Sequence, residues 1–257
     1  MQRHPLDLNI FDPRENSLYL ERLSLIRNEI SHSKTIRYLS LKILKENGWS
    51  LEDVYSDLVR FRCIPPNFQE HPRARGLLCW HRDTFYANPA CQINLWVPLS
   101  SCDRSNGIVF FPEFLDSAVE NDSSSFSLDH WNQSGGFQAF RKEGDQVIAG
   151  TGSVYPSAAN APRMEKAYIP EVRRGEGLLF ASRHLHGTMP NTSGLNRYSL
   201  ELRFCTLTEL KKADPSLNVD SQSRGCFATE FRNAVTQELC PKDVCNFYES
   251  QTSRKKT

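Results

Sequence analysis

Short apolar runs bounded by Pro, Gly or Asn follow one another along the chain from about Leu58, and they decide the fold class. The runs are LVRFRCI, GLLCWHRDTF, CQINLWVPL, GIVFFP, GEGLLFAS and RYSLELRFCTL. Runs of this length with turn residues between them are typical of β-strands. In a chain of 257 residues, they predict a mainly β fold with flanking helices, a sandwich or a jelly roll.

Helical patterns flank these runs at both ends of the chain. Apolar residues recur at helical spacing in two sets, Leu20, Leu23, Ile26 and Ile30, then Ile36, Leu39, Ile43 and Leu44. Asn47-Gly48 then predicts a helix end. Ser50-Leu-Glu-Asp53 resembles a capping box and predicts a short third helix, and a further helix is expected near Thr229–Leu239.

We expect one domain over residues 1–257. Residues 1–57 form a helical support, residues 58–210 the β core, and residues 211–257 a C-terminal extension. The segment 112–168 is polar and irregular, and an insertion of this length in a compact domain is usually a lid or a binding element.

Charge and hydropathy exclude several classes of protein. The 31 Lys and Arg residues nearly cancel the 30 Asp and Glu residues, which argues against nucleic acid or an anionic membrane as a partner. No apolar stretch approaches the roughly 18 residues of a membrane span. The first residues lack the basic-then-apolar order of a secretory signal, so we expect a cytoplasmic protein with its eight cysteines as free thiols.

Two histidine-containing segments carry the residue types of a metal site. In WHRDTF, the alternation of a strand places His81 and Asp83 on one face. The later segment GEGLLF is followed by His184 and His186. Two imidazoles and one carboxylate form the facial triad of non-haem Fe(II) oxygenases, which leaves coordination positions open for a co-substrate and for dioxygen.

A run of alternating polar residues follows these histidines. Arg197, Ser199, Glu201 and Arg203 share one strand face, and Arg197 comes eleven residues after His186. The planar fork of an arginine matches a carboxylate, and a serine hydroxyl two residues away adds a further hydrogen bond. The pattern therefore predicts a carboxylate anchor beside a metal.

Together these segments, from Leu77 to about Phe204, resemble the phytanoyl-CoA hydroxylase-like family of Fe(II)- and 2-oxoglutarate-dependent dioxygenases. The resemblance rests on His81-x-Asp83, GEGLLF, His186-Gly-Thr-Met-Pro-Asn-Thr-Ser and Arg197-x-Ser199. It implies a double-stranded β-helix, that is, a cupin-like jelly roll. It also implies iron held by His81, Asp83 and His186, with 2-oxoglutarate anchored by Arg197 and Ser199.

The same resemblance favours His186 over His184 as the ligand. On a strand both would point the same way, but the Gly-Leu-Leu-Phe lead, the following Gly-x-x-Pro-Asn and the spacing to Arg197 fit the family only with His186. His184 then becomes a pocket residue or a satisfied polar one.

Other residues are weaker candidates. Gln92, Asn94 and Trp96 share a strand face, and similar enzymes place co-substrate contacts there; hydrogen bonds across a sheet are the alternative for Gln92 and Asn94. Arg60, Arg62 and Arg203 form an inward-facing anion site for substrate, a solvated sheet face, or ion pairs with carboxylates such as Glu201. Minor candidates are Thr84 and, in the insertion, His130-Trp131 and Tyr155-Pro156.

The resemblance implies oxidative decarboxylation of 2-oxoglutarate to succinate and CO2, with O2 consumed and a C–H bond of a small polar molecule hydroxylated. An amino-acid derivative or a natural-product intermediate would suit the neutral chain. Because related halogenases replace the carboxylate ligand with a small residue, Asp83 predicts hydroxylation, desaturation or epoxidation instead of halogenation. The rivals are a cupin-like metal isomerase or 2-oxoglutarate-independent oxygenase, which would not need Arg197-x-Ser199, and a non-catalytic binding jelly roll.

Overall fold

A computed structural model describes residues 16–68, 79–134, 142–143, 146–147, 156–160 and 162–253. In this part of the chain the protein consists mainly of antiparallel β-sheets with a few helices. The helices are α1 (Asn16–His32), α2 (Lys34–Glu46), α3 (Leu128–Gln133), α4 (Leu207–Lys212) and α5 (Lys242–Thr252). No helix in these ranges is long and apolar enough to cross a membrane.

The two predicted N-terminal helices are confirmed as α1 and α2. The Ser33 side chain caps the start of α2, and the helix ends at Glu46, directly before Asn47-Gly48 as expected. The predicted third helix is wrong. Ser50 Oγ bonds to the Glu52 carboxylate, 2.7 Å away, and the chain turns directly into a strand.

Ten strands are described. They are β1 (Val54–Ser56), β2 (Arg60–Ile64), β3 (Ile93–Pro98), β4 (Ile108–Phe110), β5 (Lys142–Glu143), β6 (Gln146–Val147), β7 (Leu178–Ala181), β8 (His186–Thr188), β9 (Arg197–Thr206) and β10 (Arg232–Asn233). The main sheet has the order β10-β1-β9-β3-β7, with β2 also paired to β9. Strands β4 and β8 form a second sheet.

Strand β9 is the centre of the main sheet, and its two faces differ completely. Leu202 and Phe204 pack with Leu41 and Leu44 of α2, so the apolar face is covered by the N-terminal helices. The opposite face carries four buried polar residues: Arg197, Ser199, Glu201 and Arg203. The alternation of β9 thus separates the helix-facing core from a polar interior.

The second sheet packs against the main sheet through aromatic residues. Phe110 of β4 lies in one apolar cluster with Trp96 of β3 and Phe180 of β7. The Phe110 and Phe180 rings meet edge to face at 5.0 Å. This contact brings β8 and its histidine over the polar face of the main sheet.

The C-terminal segment differs from its predicted form. Instead of a helix at 229–239, a 3₁₀ turn at Phe227–Glu230 leads into β10, which pairs with β1. The Asn233 side chain accepts hydrogen bonds from the backbone of Val235 and Thr236, and this local turn competes with a helix. The helix of this region is α5, further along the chain.

Candidate metal centre and carboxylate pocket

His81 and His186 face each other across a β-bridge. Each donates its backbone N–H to the carbonyl of the other at 2.9 Å, and the two ring centroids lie 4.5 Å apart. The predicted strand through WHRDTF is wrong beyond this bridge, because a 3₁₀ helix begins at Asp83. His81 and Asp83 therefore do not share a strand face.

Asp83 nevertheless reaches the two imidazoles. Its backbone N–H donates to Ser182 at 2.9 Å, and its carbonyl accepts from the Asn88 side chain at 2.9 Å. Asp83 Oδ1 lies 3.9 Å from His81 Nε2. One ligand atom from each of His81, Asp83 and His186 lies within 4.8 Å of the others, which is a spacing suited to one metal ion.

Both imidazoles present the same nitrogen to this space. His81 Nδ1 lies 3.1 Å from the Cys79 carbonyl, and His186 Nδ1 lies 2.9 Å from the His184 carbonyl. A carbonyl only accepts, so in the neutral form of each ring Nδ1 carries the proton and Nε2 keeps the lone pair that can bind a metal. Burial and the neighbouring His186 lower the pKa of His81 to about 3, which keeps its ring neutral.

His184 does not belong to this group. The expected strand placement of His184 is wrong, because residues 182–184 form a turn before β8. Its Nδ1 lies 3.1 Å from both the N–H and the carbonyl of Ala181, so the ring folds back onto its own turn.

Polar neighbours surround the Asp83 carboxylate on the polar face of the main sheet. Asn94 Nδ2 donates to Asp83 Oδ2, and Gln92 Nε2 donates to Asn94 Oδ1 at 2.9 Å. Arg203 Nη2 lies 3.7 Å from Asp83 Oδ1. Burial raises the pKa of Asp83, but the neighbouring positive charge, Arg203 foremost, outweighs it and holds that pKa below its ordinary value.

Arg62 and Arg203 are paired through Glu201. Arg203 Nε lies 2.7 Å and Arg62 Nε 3.0 Å from the Glu201 carboxylate. Arg60 forms its ion pair with Asp57 instead. The structure thus shows the ion-pair alternative for these arginines, while the Arg62 side chain stays 37% exposed.

Arg197 has no such counter-ion among the described residues. It is 1% exposed, and its Nη1 donates to the carbonyls of Asn106 and Gly107 at 3.0 and 3.1 Å. No carboxylate lies within ion-pair distance in the described part of the chain. Burial lowers the pKa of Arg197 to about 10, which reflects the cost of keeping this charge away from water.

Three hydrogen-bond donors next to this charge are buried and unused. Among the described residues, Arg197 Nε, Ser199 Oγ and Trp96 Nε1 have no hydrogen-bond partner. The Arg197 guanidinium lies 5.7 Å from the centre of the Trp96 ring, and Ser199 follows on the same face of β9. Buried polar groups normally find partners. A buried cation together with N–H and O–H groups that have no partner among the described residues fits a carboxylate.

The minor candidates make other contacts or are exposed. The Thr84 carbonyl accepts from Ser221 and Ser223, which belong to the segment before α5. Trp131 is buried against Phe126 and Phe227, whereas His130 is exposed. Tyr155 lies outside the described residues, and Pro156 is buried.

Two features that support the metal site are not predicted by the sequence. Arg82, between the ligands, is fully buried, and its Nε lies 3.0 Å from the carboxylate of Asp220. No local pattern reveals a pair so far apart in sequence. Gly187, next to His186, packs directly under Trp80: a Cβ there would lie 2.5 Å from the indole ring.

No family model matches the chain, and no curated protein matches it. The solved structures that are similar to it at low identity include three whose names state a cofactor or an activity. EvdO2 from Micromonospora carbonacea var. aurantiaca, complexed with 2-oxoglutarate, is 14% identical with a TM-score of 0.44 over 72% of this chain and 64% of that one. The non-heme monooxygenase ThoJ is 13% identical with a TM-score of 0.40 over 70% and 55%. The epimerase SnoN, in complex with Fe3+ and alpha ketoglutarate, is 14% identical with a TM-score of 0.35 over 60% and 51%.

The chain spans less than two thirds of the length of these three proteins. At these TM-scores the likeness carries no argument about activity. The function is therefore inferred from the residues of the site itself.

Proposed function

We propose that this protein is an Fe(II)- and 2-oxoglutarate-dependent dioxygenase that hydroxylates an unactivated C–H bond of a small polar molecule. The observation that carries the proposal is Arg197, a buried cation with no carboxylate within ion-pair distance among the described residues. It lies beside buried donors that have no partner in these residues, and it shares a face of β9 with Arg203, which is close to Asp83. A dicarboxylate co-substrate would supply the missing counter-ion.

The donor set fits iron. Two imidazoles and one carboxylate, with ligand atoms within 4.8 Å of one another, match the facial triad of non-haem iron sites. His81, Asp83 and His186 would hold Fe(II), and Arg197 and Ser199 would hold the distal carboxylate of 2-oxoglutarate. With both bound, the centre would use O2 to convert 2-oxoglutarate to succinate and CO2 and to oxidise the substrate.

The proposal also covers the fold, the cellular location and the substrate class. The packing of the β4–β8 sheet on β3 and β7 supports a double-stranded β-helix, as the resemblance to the phytanoyl-CoA hydroxylase-like family implies. We further propose a cytoplasmic enzyme whose substrate is an amino-acid derivative or a natural-product intermediate, with the partly exposed Arg62 near its binding site.

The presence of Asp83 favours hydroxylation over halogenation. A halide would need the coordination position that a carboxylate at residue 83 fills, so we expect no chlorinated or brominated product from the wild-type protein supplied with halide. Mass spectrometry of product formed in excess chloride or bromide tests this, with a chloride-free reaction as control. Halogen in the product would remove Asp83 from the metal.

The central experiment is the anaerobic addition of Fe(II) and then 2-oxoglutarate. We expect the visible charge-transfer band that bidentate chelation of ferrous iron produces. The band should be lost in His186→Ala, which removes a ligand, and should require much more 2-oxoglutarate in Arg197→Met. Iron bound without any band would refute the proposal and favour the cupin-like isomerase or 2-oxoglutarate-independent oxygenase.

A further inference from the structure

Gln92, Asn94 and Asp83 form a hydrogen-bond chain whose direction is fixed by chemistry. The Asp83 carboxylate only accepts, so the Asn94 atom that contacts Oδ2 is the amide nitrogen. The Asn94 oxygen then points away and accepts from Gln92 Nε2 at 2.9 Å. Each amide orientation therefore follows from the one before it.

The chain lies in the deepest part of the site. Gln92 is 0%, Asn94 1% and Asp83 1% exposed, so water does not compete for these bonds. Gln92 is held in turn by its backbone, which donates to the Pro89 carbonyl and accepts from Ser182. The Ser182 carbonyl also accepts from the Asp83 backbone, so both ends of the chain are tied to one residue.

The two oxygens of Asp83 consequently have different surroundings. Oδ2 is occupied by Asn94, whereas Oδ1 lies on the side of His81 Nε2 and Arg203. We propose that Gln92 and Asn94 are positioning residues that hold Asp83 so that only Oδ1 is offered to the metal. The inference rests on the proposed function, and it gives these residues a role toward the carboxylate ligand instead of toward 2-oxoglutarate.

One consequence concerns the open positions of the metal. A carboxylate that binds through one oxygen occupies one coordination position, and a carboxylate that binds through both occupies two. The facial triad needs its remaining positions for a bidentate co-substrate and for dioxygen. The amide chain therefore keeps free a position that an unrestrained Asp83 would fill.

The test uses Co(II) and the ligand-free protein, so that no turnover is needed. Asn94→Leu removes the donor to Oδ2 at similar volume. We expect Co(II) affinity, measured by calorimetry, to fall about 10–100-fold, as is usual when a hydrogen-bond partner of a metal ligand is lost. At saturating Co(II), we expect altered visible absorption bands, because Oδ2 is free to coordinate. Gln92→Leu should give a smaller change in the same direction.

Asn233→Leu is the matched control. Asn233 is also buried, it makes hydrogen bonds to Glu52, Val235 and Thr236, and it lies on β10 at the far edge of the sheet. This variant should lower the melting temperature without changing Co(II) affinity or spectrum. Melting temperatures of all metal-free variants show whether each one folds.

The possible results distinguish failure of the positioning role from failure of the proposed function. Wild-type affinity and spectrum in Asn94→Leu would overturn the positioning role while leaving the metal site intact. An equal loss of affinity in Asn233→Leu would also overturn it, since general destabilisation would then explain the result. A wild-type protein that binds no Co(II) would overturn the proposed function and this inference together.

Discussion

Substitution of Arg197 is the most direct test of the carboxylate pocket. Its Nη1 is already engaged by two backbone carbonyls, while Nε and the nearby Ser199 Oγ have no partners in the described residues. Replacing Arg197 by Met keeps much of the side-chain length and removes the charge and the fork. The variant therefore tests whether the unused donors serve an anionic ligand.

The expected magnitude follows from the bonds that a carboxylate would lose. Hydrogen bonds to charged groups contribute about 1.5–3 kcal/mol each, so two bonds at the low end give about 3 kcal/mol. At about 1.4 kcal/mol per factor of ten, the dissociation constant of 2-oxoglutarate should rise about 100-fold. Ser199→Ala loses one weaker bond of about 1 kcal/mol, or about 5-fold.

The assay is an anaerobic titration of 2-oxoglutarate into the Fe(II)-loaded protein, followed by the charge-transfer band. Arg197→Lys is the matched control, because it keeps the charge but loses the planar fork, and it should fall between Met and the wild type. Metal-free melting temperatures show whether the pocket still folds. An unchanged dissociation constant in Arg197→Met would refute the reasoning and move the anchor elsewhere, with Arg203 the next candidate.

Three further predictions concern the metal ligands and their support. His186→Ala should abolish Co(II) binding whereas His184→Ala should retain it, because the His184 ring folds onto its own turn; calorimetry that gives the reverse order would show that the wrong histidine was assigned. Asp220→Ala should lower the free energy of unfolding by about 3–5 kcal/mol, because Arg82 would become an unpaired buried charge. In a chain of this size, that loss of stability corresponds to a melting temperature lower by about 6–20 °C. A decrease of less than about 2 °C would contradict the prediction. Gly187→Ala should destabilise by about 1–3 kcal/mol through overpacking against the indole ring, and should weaken Co(II) binding as well; equal melting temperatures would show that the ring moves aside freely.

The sequence predicts the elements whose pattern is local. Strands β2, β3, β4, β7 and β9 lie within the apolar runs, and α1 and α2 follow the helical spacing. The face alternation of β9 is readable because each polar residue is followed by an apolar one. The same periodicity is sufficient to predict that Arg197 and Ser199 lie on one face, as they do in β9.

The two failed helix predictions have local causes, in the Ser50–Glu52 bond and the Asn233 turn, whereas the failure at Asp83 has a mainly non-local one. The chain leaves the strand at Asp83 because the backbone there is held by Ser182 and Asn88, and the Thr84 carbonyl is held by Ser221 from the C-terminal segment. His81 and Asp83 still converge, but the alternation of a strand was the wrong reason for it. Contacts between distant segments cannot be read from periodicity.

Strand β9 also determines how the chain tolerates insertions and deletions. Its side-chain period is two, so a shift of pairing by one residue exchanges its faces. Leu202 and Phe204 would then enter the polar interior, and Arg197 and Arg203 would face the helices α1 and α2. One deleted residue in mid-strand would exchange the faces on one side of the deletion, so it would remove either the helix-covered core or the carboxylate pocket. Insertions and deletions should therefore be tolerated in the loops on either side of β9 but not within the strand. This holds independently of any selection on the enzyme's activity.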